Sequence, residues 1–150
     1  MNLPDLGAYA QPAKNDTQTV SDAIQALIEA DNEERSERAY HRLLYAAGNN
    51  HAGTYFPVVL GVIHALGVVL RTGAPWAQRT ALEVLIDWFG AFEPEAGHEV
   101  FQGEALMEKV RQAIRGLRPS VDALAQSGSV AQISAIELLD ALNGGDYRAT

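Results

Sequence analysis

The residues best suited to chemistry lie in the run Asn49-Asn50-His51-Ala52-Gly53-Thr54. An imidazole titrates near neutrality, so His51 could serve as a general base or bind a metal through a ring nitrogen. A metal site needs further ligands at a recognised spacing. His41 is ten residues away, and no His-Glu-x-x-His pattern occurs. The competing reading is structural: Asn49, Asn50, His51 and Thr54 bond backbone groups left free where one helix ends and the next begins. A second cluster, Glu93, Glu95, His98 and Glu99, offers oxygen ligands of the kind calcium and magnesium take, at a spacing that matches no EF-hand loop. A solvated loop is the commoner explanation. Arg111, Arg115 and Arg118 form a basic stripe that could grip a phosphate or an acidic partner, or pair with carboxylates such as Glu108. The chain has no Cys, which excludes disulfides, thiolate nucleophiles and Cys-based zinc sites. There is no Gly-rich phosphate loop and no nucleophile elbow. The expectation is therefore a protein without a catalytic centre, metal or cofactor.

The elements that must hold these residues are helical. Thr19 or Ser21 caps a first helix to about Ala30, with Val20, Ala23, Ile24, Leu27 and Ile28 on one face. Asn32 caps a second over 33–47, where Glu33, Glu34 and Glu37 suit the positive end of the helix dipole. Gly48 is its left-handed stop. A third helix spans about 55–71, with Pro57 in its first turn. It is apolar nearly all round, which marks it as central and makes His64 a core histidine. Gly73 ends it, and Pro75 starts a fourth helix to about Phe89. Residues 90–103 read as a loop rich in Gly, Pro and Glu. A fifth helical stretch covers 104–126 with a break near Gly116–Pro119, because residues before a proline avoid the α region. Ser129 caps a last helix to about Leu142.

Two of these helices repeat one another. Ala77-Gln78-Arg79-Thr80-Ala81-Leu82-Glu83-Val84-Leu85 returns 54 residues later as Ala131-Gln132-Ile133-Ser134-Ala135-Ile136-Glu137-Leu138-Leu139. A weaker copy lies 42 residues earlier, placing Ala39-Tyr40 on Ala81-Leu82. Such periods indicate stacked helical pairs, none of which can bury its apolar stripe alone. The fold class expected is all-α: a right-handed α–α superhelix of about three HEAT-like pairs over 18–143. A flexible arm over 1–17 precedes it and a loose tail over 144–150 follows. In such a stack equivalent positions align across the second helices. Arg79, Glu83 and Asp87 then lie beside Glu37, His41 and Tyr45 on one side and Ile133, Glu137 and Ala141 on the other. The row Glu37, His41, Tyr45, Arg79, Glu83, Asp87 and Glu137 is the candidate concave partner-binding face; a solvated ridge is the bland alternative. Trp88 belongs to the apolar face of its helix. Trp76, at a helix start, is a candidate interface anchor if exposed.

The net charge is −8, which argues against nucleic acid as the main target. From Thr80 to Glu108 there are seven carboxylates and no Lys or Arg. Glu93, Glu95 and Glu99, with Trp76 as anchor, make a candidate acidic loop for a basic partner. Met1–Thr17 is polar, holds two prolines and lacks the apolar segment of a secretory signal. The apolar run 55–70 is shorter than the ~20 residues a membrane span needs. A soluble, cytoplasmic protein with no membrane partner is expected.

His41-Arg42-Leu43-Leu44-Tyr45, Gly48-Asn49-Asn50-His51-Ala52-Gly53-Thr54-Tyr55-Phe56-Pro57 and Ala81-Leu82-Glu83-Val84-Leu85-Ile86-Asp87 resemble a group of bacterial HEAT-repeat-like proteins, armadillo-type α-solenoids. That group carries a His-Ala-Gly-Thr or His-Gln-Gly-Thr turn, then an aromatic residue and a proline-started apolar helix. The resemblance covers roughly residues 38–95. His51, Gly53, Thr54 and Tyr55 match its motif, as a structural signature more than a site. Some such proteins neighbour secreted polymorphic toxins. The resemblance thus implies an immunity protein that neutralises a cognate bacterial toxin by direct binding, with a basic toxin domain such as a nuclease as the partner expected. A general HEAT-type scaffold or regulatory adaptor without a toxin partner is the alternative.

Overall fold

The computed structural model describes residues 4–144. Among them are seven α-helices: α1 (Thr17–Ile28), α2 (Glu33–Ala47), α3 (Val59–Thr72), α4 (Pro75–Ile86), α5 (Leu106–Arg115), α6 (Arg118–Ala125) and α7 (Gln132–Leu142). The chain is mostly helical, as its periodicity requires. No helix among the described residues is long and apolar enough to cross a membrane. The proposed tail lies outside the described residues beyond Gly144, as do residues 1–3 of the proposed arm.

The helices form two layers. α1, α3 and the α5–α6 pair make one; α2, α4 and α7 make the other. α4 packs between α2 and α7, and each second-layer helix also rests on a first-layer one. The core fills the space between layers, from Val20, Ile24 and Leu27 through Val62, Leu66, Leu82 and Leu85 to Ile114, Val121 and Leu138. The apolar α3 buries nine of its residues, Val59 to Leu70. His64 is the exception. It faces solvent on that helix, so the expectation of a core histidine is corrected. Leu60 and Val68, one turn to either side of it, are half-buried, so this stripe of α3 is less covered than the rest.

Helix ends follow capping chemistry, with some shifts. α1 starts earlier than expected, because the Asp16 carboxylate accepts from Thr19 N–H and the Thr19 side chain answers at Asp16. Asn32 caps α2 by accepting from Arg35 N–H at 2.9 Å. Gly48 is not left-handed: its φ is −177°. A glycine is needed there for a different reason, since a Cβ would lie 2.1 Å from the Thr54 carbonyl oxygen. Ser129 acts just ahead of α7, its hydroxyl accepting from Ala131 N–H at 3.1 Å. The break between α5 and α6 falls where Pro119 requires it, and the proline sits in the first turn of α6.

Short strands stand where turns and loop were expected. β1 (Gly48–Asn49) and β2 (Thr54–Tyr55) form an antiparallel hairpin, and β2 pairs in parallel with β3 (Glu93–Pro94). β4 (Val100–Phe101) and β5 (Glu104–Ala105) make a second hairpin. Tyr55 therefore belongs to a strand, and α3 begins four residues later, at Val59. α4 ends at Ile86 and continues as a π-helical turn over Asp87–Ala91.

Residues 4–16, expected as a mobile arm, lie along this core. Leu6 is buried, Tyr9 stacks on Phe101 at 5.7 Å, and Val58 N–H donates to Ala10 O at 3.1 Å. Gly61 makes the room: a Cβ there would stand 2.9 Å from Leu6 and 3.1 Å from Tyr9.

Candidate interaction face

The second layer brings the predicted row together. The buried hydroxyls of Ser36 on α2 and Thr80 on α4 share a hydrogen bond of 2.6 Å, and Thr80 also donates to Trp76 O at 2.8 Å. This polar pin fixes the rotation of α2 and α4 about their seam. It leaves Glu37, Tyr40, Arg79 and Glu83 around a cleft of about 170 Å³ floored by Ser36 and Thr80. Tyr40 donates its hydroxyl to the Asp87 carboxylate. Burial, then that carboxylate, pushes the Tyr40 phenol well above its ordinary range.

The carboxylates of this face are incompletely neutralised. Burial raises the Glu83 carboxyl above its usual value; Arg79 opposes this, and Glu137, Asp87 and Glu37 reinforce it. Those three acidic neighbours come from α7, the end of α4 and α2, so the row spans all three helices. The opposing Arg79 guanidinium lies 3.8 Å from Glu83 and 5.2 Å over the Trp76 ring. Asp87 is also raised, chiefly by burial, while the Tyr40 hydrogen bond and His41 pull it back. His41 and Glu37, both exposed, approach to 3.4 Å.

Tyr45 closes the row at one end. It is half exposed, and the Lys14 ammonium sits 4.0 Å above its ring while donating to Gly48 O at 2.9 Å. Burial lowers the Lys14 pKa, and Glu95 counteracts it. Trp76 is half-buried beneath Arg79, which gives it less free surface than an exposed anchor would have.

The loop carboxylates do not converge. Glu93 lies in β3 beside Thr54; Glu95 acts electrostatically on Lys14; Glu99 accepts from Gly97 N–H at 2.9 Å within its own loop. His98 is turned against the Phe56 ring at 4.7 Å. Among the described residues no group of three or more His, Asp or Glu is placed to hold a metal ion.

The motif Asn49–Thr54 builds a turn. Asn49 Oδ1 accepts from His51 N–H and Ala52 N–H, each at 3.1 Å, and Gly53 takes φ +73°. His51 is exposed at its tip. Glu93 N–H then donates to Gly53 O at 3.0 Å and Glu95 N–H to Tyr55 O at 2.8 Å, so the turn anchors the acidic loop. Arg111 donates to Phe89 O at 3.1 Å, and Arg115 lies 5.4 Å over the Phe89 ring and 3.6 Å from Glu108. Arg118 pairs with Asp122 at 4.0 Å and donates to Asn143. The stripe is thus spent on internal partners.

Sequence reasoning missed Ser36, Thr80 and Tyr40, which shape the cleft. Ser36 and Thr80 carried one visible signal: each is a small polar residue within an otherwise apolar helix face. No family model, curated protein or solved structure matches this chain.

Proposed function

We propose that this chain is a protein-binding helical-repeat module, a right-handed HEAT-like superhelix of three pairs. Its α2–α4–α7 layer receives a basic protein surface. In the reading we favour, that surface belongs to a bacterial toxin domain, which the chain neutralises as an immunity protein. One observation supports the binding reading above others. Glu137, Asp87 and Glu37 each bear on half-buried Glu83, with Arg79 as the one permanent cation among those charges. A partly buried carboxylate cluster of this kind is unfavourable in isolation and gains from an incoming cation. Positive charge on the partner would relieve the mutual repulsion and raise the association rate.

The test is co-expression capture of the tagged chain with proteins of its source, followed by reversal at Glu83→Lys and Glu137→Lys. One stoichiometric basic partner, toxic when expressed alone and released by the double reversal, is the expected result. A partner held equally well by the doubly reversed protein would remove this face from the proposal. Several weak partners and no toxic one would replace the immunity reading with that of a general scaffold.

A further inference from the structure

The helical repeat lets α4 report what α7 lacks. Thr80 faces α2 through its bond to Ser36. Leu82 lies about 200° further round a helix of 3.6 residues per turn, on the side that α7 covers, and it is 0% exposed. Its counterpart in α7 is Ile136, which is 50% exposed, and the adjacent Ile133 is 80% exposed. Ser134, the counterpart of Thr80, is buried. α7 therefore carries the surface on which α4 receives a helix, and among the described residues no helix lies there.

The chemistry of that flank is specific. Ile133, Ile136 and half-buried Leu139 run along it, with exposed Asp140 between the directions of the two isoleucines and exposed Glu137 beside Ile133. α7 contains no Lys or Arg. We infer that the flank of α7 docks an amphipathic helix of a partner, its apolar stripe on Ile133 and Ile136 and its lysines or arginines against Glu137 and Asp140. This inference rests on the reading of the second layer as a partner-binding face and assigns that partner a helical element. α7 against α4 is the chain's own example of such docking. A second copy fits less well, because it would bring another chain of net charge −8 and another acidic row to the same edge.

The probe is a fluorescein-labelled helical peptide of roughly 14 residues, with Leu at i, i+3, i+4 and i+7 spacing and Lys elsewhere. Its controls are the same peptide with Glu for Lys and a scrambled Leu/Lys peptide. Anisotropy titrations use the full chain, the exposed-site double variant Ile133→Ser/Ile136→Ser, and Glu83→Gln/Glu137→Gln. The expected result is binding of the patterned Leu/Lys peptide alone, weakened about tenfold or more by the isoleucine pair and also by the glutamate pair. Binding of both Lys peptides that is lost in the glutamate variant and unchanged in the isoleucine variant would overturn the docking flank and leave the acidic face standing. Affinity unchanged in both variants would overturn both. No binding of the patterned peptide would overturn the flank. So would a concentration-dependent dimer in sedimentation that Ile136→Ser abolishes, since a second copy would then occupy it.

Discussion

Gly48→Ala tests whether the Asn49–Thr54 motif is architecture or a site. The added Cβ would stand 2.1 Å from Thr54 O, 2.7 Å from Tyr55 Cα and 2.9 Å from Thr54 C. All three are backbone atoms of the paired strand, so no side chain can swing away. β1 and β2 must part, and Tyr55, fully buried, moves with them. Overpacking of this kind costs about 1–3 kcal/mol. Loss of the strand pairing and of part of the Tyr55 burial places the expected total near the top, about 3 kcal/mol. In a chain of this size that lowers Tm by roughly 6–12 °C. Urea unfolding followed by the fluorescence of buried Trp88 measures it directly. His51→Ala is the comparison. Its ring is exposed and makes no hydrogen bond among the described residues, so the change should stay within about 0.5 kcal/mol. Asn49→Ala, which frees two backbone N–H groups, falls between them at roughly 1 kcal/mol. If Gly48→Ala costs less than about 1 kcal/mol, the hairpin is not packed as described and the motif needs another explanation.

Other consequences are equally accessible. Glu83 and Asp87 are raised in the folded state, so the native protein holds these protons more tightly than the unfolded chain. Their destabilising contribution is full above the folded-state values and is relieved as pH falls through them. Glu83→Gln should therefore gain stability over wild type at neutral pH, and the gain should shrink on acidification; parallel stability–pH curves would contradict this. Thr80→Val should cost about 1–3 kcal/mol by leaving the buried Ser36 hydroxyl unpaired, whereas Ser36→Ala should cost roughly 0.5–1 kcal/mol because Thr80 retains Trp76 O. Denaturation of both variants checks the asymmetry. Leu82→Ala should cost about 2–5 kcal/mol and Ile136→Ala under about 1 kcal/mol, although the two occupy equivalent positions. Equal losses would mean that the flank of α7 is already covered.

Most helices were legible from a 3.6-residue apolar period and a punctuating Gly, Pro or Asn, and α3 from its continuous apolar run. Of the row expected from the internal repeat, Glu37 and Glu137 both bear on Glu83 from neighbouring helices. The two-residue strands were not legible, since a pair of residues has no period to read. Their partners are set by tertiary approach, as when β2 finds β3 almost forty residues on. His64 misled because an apolar run on a central helix does not reveal which stripe is less covered. Gly48 was recognised as a terminator, but its reason, the close backbone of Thr54, is a contact that sequence spacing alone does not disclose.

The packed N-terminal segment bears on how the chain acquires its structure during synthesis. Lys14 and Asn15 are made before their partners, since they donate to Gly48 O and Ala46 O, and Ala10 accepts from Val58 N–H. Leu6 and Tyr9 require Gly61. Residues 4–16 thus find their place only once the chain has been made as far as Gly61, when α2 has ended and α3 has begun. The Lys14 ammonium then meets carbonyls at the negative end of the α2 dipole. Protection of residues 4–16 from a protease is accordingly a clock for completion of α2 and the start of α3.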